Sequence, residues 1–263
     1  PKVGADGIFY LEMYFSLEDF SSEELVEVPF FVSLLGDLAT ANFGALALKS
    51  EMDANLGRFS VDSVVYEAKG KATPYIYVQV AALEQKREDV LRLSKEVLLA
   101  TRFEDKKAVG DILKQARQGM ELSVAESGNK YAMRRAAARL SRQNEMDEVM
   151  SGIVQLRWLQ KAKVDDGMLS RFASLAKRVF TKGRLTVCLT DNMPAEYASE
   201  VVAAWPVGVP PAPAVWNVSL PSAKGGEGFS IPEEIAYAGV ASRLPDGCGY
   251  HGSQIVASRI LTL

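Results

Sequence analysis

Between Ile8 and Leu17 the chain alternates strictly. Phe9, Leu11, Met13, Phe15 and Leu17 fall on one side, and Tyr10, Glu12, Tyr14 and Ser16 on the other. A period of two is that of a strand with one buried face. Ser21 and Glu24 then have the spacing of a capping box, which opens a helix running to about Leu38. Pro29 lies inside that stretch and predicts a kink or a late start, because it removes a donor and crowds the preceding turn. A second helix is expected over Ala45–Asn55, with Gly57 in the C-cap role. Phe59–Tyr66 and Tyr75–Leu83 read as two strands of a hairpin turning around Lys69-Gly70-Lys71.

Helical spacing then takes over. Val90, Leu91, Leu93, Val97 and Leu98 mark one amphipathic helix, and Asp105 to Glu126 carries Val109, Ile112, Leu113 and Ala116 at the same period. Tyr131–Leu140, Met146–Lys161 and the stretch through Leu169, Phe172, Leu175, Ala176 and Val179 predict three more. A last strand, Arg184–Thr190, precedes a short helix begun by Pro194 in its first turn. Strands at both ends of a helix-rich middle imply an α+β fold: a mostly antiparallel sheet with helices packed on one face. From Trp205 the periodicity stops. Residues 206–228 are rich in Pro and Gly and read as a linker between a first domain, 1–205, and the truncated beginning of another, 229–263. In that last piece Phe229–Val240 is expected as a strand and Gly252–Leu263 as the start of a helix.

Charge and composition narrow the function classes. The formal net charge of -3 gives no reason to expect nucleic acid or an anionic membrane surface as a partner. No apolar run approaches the roughly 20 residues that span a bilayer. The two cysteines, Cys188 and Cys248, make a disulfide framework implausible and suit a reducing compartment. One histidine, His251, and two distant cysteines do not make a hydrolytic zinc site, which normally takes three protein ligands and leaves one position open, and neither metal nor triad chemistry is expected of this chain by itself. The chain opens at Pro1 and closes inside an apolar run at Leu263, so it is expected to be a piece of a longer protein.

Several segments, taken in order, resemble one family. "GIFYLEMYF", "LLGDLAT", "SGNKYAMRRAAARLS" with "MSGIVQLRWLQK", and "MLSRFASLAKRVFTKGRLTVCLT" are similar to the third domain of pitrilysin/insulinase-type zinc metallopeptidases, nearest the presequence-protease branch. "FSIPEEIAYAG" and "GYHGSQIVASRIL" are similar to the start of the fourth domain. The resemblance implies a fold of the LuxS/mitochondrial-processing-peptidase type. It also implies a parent enzyme, a clamshell of four such domains, that hydrolyses unstructured peptides in a closed chamber. In this family an inverted His-x-x-Glu-His helix in the first domain, completed by a downstream Glu, holds zinc, and an Arg and a Tyr of the fourth domain contact substrate. Nothing in this chain matches the zinc motif, and the resemblance puts that Arg and Tyr in a segment just beyond Leu263, so no catalytic residue is carried over. The implied role is therefore non-catalytic: a chamber wall, with zinc in the parent and none bound here. Its partners would be an unstructured peptide and the catalytic N-terminal half. The alternative is a catalytically inactive structural or partner subunit of the same fold.

No catalytic or metal-binding residue is assigned. Cys248-Gly249-Tyr250-His251 has the spacing of half a zinc site, but a closed site needs four ligands and the other thiol lies far away. A polar residue at a strand-to-helix turn is the plainer reading of His251. The candidate surface is Lys130, Arg134, Arg135, Arg139 and Arg142, a basic run with no acidic residue before Glu145. It reads either as a contact for an acidic stretch of substrate or for the partner half, or as a helix face paired with carboxylates of neighbouring helices.

Overall fold

The computed structural model describes residues 7–190, 195–212, 226–231 and 234–241. The first strand, β1 (Ile8–Ser16), is followed by α1 (Ser22–Leu25), α2 (Val28–Leu34) and α3 (Ala45–Asn55). The hairpin β2 (Arg58–Ala68) and β3 (Lys71–Leu83) leads through one 3-10 turn into α4 (Arg87–Leu99), α5 (Lys106–Glu126) and α6 (Gly128–Ala137). Next come α7 (Arg142–Ser151), α8 (Ile153–Lys161), α9 (Asp166–Val179), β4 (Leu185–Thr190) and α10 (Ala195–Ala203). The fold is α+β, as the alternation of patterns predicts.

All strand pairs are antiparallel, in the spatial order β2-β3-β1-β4. The hairpin turn places Lys69 at φ 52° and Gly70 at φ 76°. Two successive left-handed residues twist the chain in the sense of the strands, which splayed turns cannot do. Register then fixes the faces. Val61, Val78, Met13 and Val187 form one row across the sheet on the core side, and Asp62, Tyr77, Tyr14 and Thr186 form the adjacent row on the other. Phe9, Leu11, Met13 and Phe15 are fully buried beneath the helices.

Under the sheet lies an aromatic cluster. Phe31 meets Phe103, Phe172 and Phe180, and Phe15 packs edge-on against Phe180 and Trp205. Each fully buried ring of this kind contributes roughly 1.5–3 kcal/mol through removal from water. Because Trp205 follows α10 and Phe9 packs against Tyr197 of α10, the last described helix belongs to the same core.

Four details depart from the sequence reading. The helix expected over residues 21–38 is two helices. The capping box forms (Ser21 N to Glu24 Oε2 2.9 Å, Glu24 N to Ser21 Oγ 3.3 Å), but Pro29 belongs to the first turn of a new helix, α2. Gly57 does not cap α3 in a left-handed conformation; its N–H donates to Ala81 O at 2.8 Å and so begins the β2 ladder. The helix expected over Met146–Lys161 breaks at Gly152 into α7 and α8. The described residues of Phe229–Val240 hold no strand. They lie along α6 instead, where an ideal Cβ on Gly239 would approach the backbone carbonyl carbon of Ala132 to 2.5 Å. A segment that meets a helix backbone has no ladder partner, whatever its β-like composition. Residues 252–263, with their expected helix, and His251, Cys248 and Pro194 lie outside the described residues.

Candidate functional site

The predicted basic run occupies α6 and the start of α7, and its members have different surroundings. Lys130 and Arg139 are exposed. Arg134 donates to Ser151 O at the end of α7 (2.5 Å), and Arg142 pairs with Glu145 one helical turn on (2.7 Å). Arg135 is only 5% exposed. Its guanidinium reaches Glu227 through Nε (2.8 Å) and Nη2 (3.0 Å), and Glu148 of α7 through Nη1 (3.1 Å). Arg139 joins the same Glu227 at 3.3 Å. The helix therefore turns one guanidinium inward to two carboxylates, a fork that suits arginine and that lysine could not reproduce.

Glu148 is fully buried, and Gly152 makes room for it. The α7–α8 break leaves the amide of Ile153 free to donate to Glu148 Oε1 at 3.0 Å. Any Cβ at position 152 would overlap Glu148 Oε2. Burial pushes the Glu148 carboxyl above its usual range, and the opposing pull of Arg135 and of the Ile153 and Val154 amides does not cancel it. Hydrogen bonding from Arg135 holds Glu227, which is less buried, below its usual range. Around this anchor residues 226–231 and 234–241 are seated by Tyr237 against Gly128 and by Phe229 beneath Arg157 (5.4 Å to the ring centre).

The open side of the sheet is chemically different. Its central rows read Ser60, Gln79, Glu12, Cys188 and then Asp62, Tyr77, Tyr14, Thr186 from β2 to β4. Glu12 is half-buried and lies at the hub. Tyr77 OH donates to its Oε1 at 2.6 Å, Tyr14 OH to its Oε2 at 3.0 Å, and Gln79 Nε2 reaches Oε1 at 3.4 Å. The Tyr14 and Tyr77 rings stack at 4.7 Å, and Tyr66 and Tyr75 meet Tyr14 edge-on at 5.9 and 6.0 Å. Burial, followed by the neighbouring Glu12 charge, pushes Tyr77 up to about 12 and Tyr14 higher still. Both phenols therefore stay protonated donors at any physiological pH.

The alternation along β1 already put Glu12 and Tyr14 on the outer face. Missing from the sequence was the strand register that brings Tyr77 and Gln79 to them, 65 and 67 residues from Glu12. Glu227 lay equally out of sight, 92 residues from Arg135 in a stretch read as linker. Among the described residues no group of three or more His, Cys, Asp or Glu could hold a metal, so a zinc ion does not fit these residues. None of the described helices is long and apolar enough to cross a membrane.

Comparison with known proteins places the fold. A crystal structure of a conserved protein from Enterococcus faecalis V583 superposes with a TM-score of 0.60 at 9% identity, over 84% of this chain and 53% of that one. A crystal structure described as the peptidase M16 inactive domain from Pseudomonas fluorescens gives 0.51 at 16% identity, over 84% of this chain and 50% of that one. By sequence, the mitochondrial presequence protease of Yarrowia lipolytica is 25% identical over 251 residues, which cover 90% of this chain but 25% of that protein. The chain thus spans about a quarter of that relative's length. A family model, peptidase M16 subfamily C associated, matches residues 2–161. With most of its 263 residues inside that match, the chain belongs to the family of regions associated with peptidase M16 subfamily C.

Proposed function

We propose that this chain is the non-catalytic part of a zinc metalloendopeptidase that degrades unstructured peptides in a closed chamber, and that its open sheet face is part of the chamber wall. The observation that carries the reading is the family match over residues 2–161 joined to a chain a quarter as long as its presequence-protease relative. In such an enzyme the metal would be held by residues elsewhere on the polypeptide, and the chemistry it would supply there is activation of water. This chain contributes enclosure. Its helices pack on one side of the sheet, and the other side, half-buried, polar and aromatic, is left to face a peptide.

Purified alone and supplied with zinc, the chain is expected to leave an unstructured peptide intact and to retain no stoichiometric metal after dialysis. The polypeptide that also carries a His-x-x-Glu-His helix should cleave the same peptide. Tightly held zinc together with peptidase activity in the isolated chain would overturn the reading.

A further inference from the structure

We infer that Glu12, Tyr14 and Tyr77 form a subsite for a cationic side chain, the guanidinium or ammonium of an Arg or Lys in an extended peptide lying on the open sheet face. The inference deepens the chamber-wall reading and rests on it for its biological setting.

Glu12 is a carboxylate without a counter-cation among the described residues. Its three hydrogen bonds come from two phenols and an amide, all neutral, and no described Lys or Arg forms an ion pair with it. Two carboxylate oxygens offer about four acceptor positions, so capacity remains for a further donor. On one side the row Asp62, Tyr77, Tyr14 and Thr186 adds the exposed carboxylate of Asp62, and the next row, Val64, Tyr75 and Ser16, adds no charge; on the other side the row Arg58, Ala81, Tyr10 and Thr190 brings one basic residue, the exposed Arg58, which stands two strands from Glu12 and forms no ion pair with it. A basic patch seeking an acidic partner is excluded here; the charge is of the opposite sign.

The rings supply the second element. Tyr14 contacts Tyr66, Tyr75 and Tyr77, and Tyr66 meets Tyr75 at 6.3 Å, so the four rings form a continuous aromatic wall beside the carboxylate. A cation held within about 6 Å of such faces is attracted by the ring quadrupole, most strongly where water is partly excluded. The tethered phenols fix the carboxylate in one orientation, so a ligand need not order it. An extended peptide places alternate side chains roughly 6.5–7 Å apart on one side, the spacing of alternate residues along each strand of this face. A cation over Glu12 therefore brings the side chain two residues away over the Tyr14–Tyr77 pair, and the one four residues away over Tyr75.

The test uses the whole chain and a pair of short unstructured peptides that differ only by Arg against its neutral isostere citrulline, with binding read by fluorescence anisotropy. The Arg peptide should bind about fivefold tighter, the size expected of one cation–π contact with a partly exposed ion pair. Glu12→Gln should bring the two peptides within about twofold while the melting curve and circular dichroism stay unchanged. Tyr77→Phe, which keeps both ring and charge, should retain most of the preference. Equal binding of the two peptides to the native chain, no measurable binding of either, or a preference that survives Glu12→Gln would each overturn the inference. Because binding is read without hydrolysis, any of these leaves the chamber-wall reading standing. Zinc and activity in the isolated chain would sink that reading and leave the subsite untouched.

Discussion

The α6–α7 cluster and the open sheet face each hold buried or half-buried charge, and they handle it in opposite ways. At α6, Arg135 meets two carboxylates and a second basic residue, Arg139, closes the group, so the charges are matched within the chain. At the sheet face Glu12 is steadied by neutral donors, and no described cation compensates its charge. The richer cluster in the sequence is thus the more self-contained one in the fold. Density of charge along a chain says little about availability; what counts is whether the partners arrive from elsewhere in the structure.

Four substitutions separate the two regions. The largest effect is expected from Arg135→Met. It strands the buried Glu148 and should lower unfolding free energy by about 3 kcal/mol in urea titrations at neutral pH, because breaking a buried pair leaves an uncompensated charge. Since the folded Glu148 carboxyl is already raised, the folded state holds the proton that the unfolded chain releases above about 4.5. Stability of this variant should therefore fall as pH rises through the region above 4.5, and recover on acidification. Gly152→Ala comes next. With its Cβ meeting Glu148 Oε2, it should cost about 2 kcal/mol by overpacking and lower the melting temperature.

Glu227→Gln should be milder, about 1 kcal/mol, and should speed hydrogen exchange in residues 226–231 and 234–241. Here the sign reverses. A depressed carboxyl contributes stability that is full above its unfolded value of 4.5 and is lost as pH falls through its lower folded value, so native and variant curves should converge in acid. Smallest is Glu12→Gln, within about 0.5 kcal/mol of the native stability, because the amide oxygen still accepts from a phenol. A loss at Glu12 as large as that at Arg135 would collapse the distinction between a structural and an available charge.

Much of the architecture was legible because it is local. The alternation of β1 showed both faces of the sheet before any partner strand was known, and Ser21 with Glu24 marked a helix start to the residue. Breaks were harder. Gly152 interrupts a continuous helical pattern for a reason that only the packing of Glu148 supplies, and Gly57 looked like a cap because the strand it joins lies in another part of the chain. Phe229–Val240 has the composition of a strand, yet among its described residues none lies in a strand: Phe229 meets Arg157 of α8, and Tyr237 and Gly239 meet α6. The candidate surface followed the same rule. Five basic residues were visible, but the Arg135–Glu227 pair and the Glu12–Tyr77 contact are made by tertiary register, which spacing along a sequence does not encode.

The strand order β2-β3-β1-β4 also governs how the domain must be assembled. The β2–β3 hairpin closes over two residues, Lys69 and Gly70, and can form as soon as it is made, whereas β1 waits for β4, which begins only at Leu185. Closing so long a loop is entropically slow, and until it happens one edge of β1 presents unpaired amides and carbonyls to any other chain. The stretch that matches the family ends at residue 161, before Phe172, Phe180 and Trp205 have entered the core. A polypeptide cut at that boundary keeps the recognisable sequence and loses the ability to shield its own central strand. The packed core runs at least to Trp205.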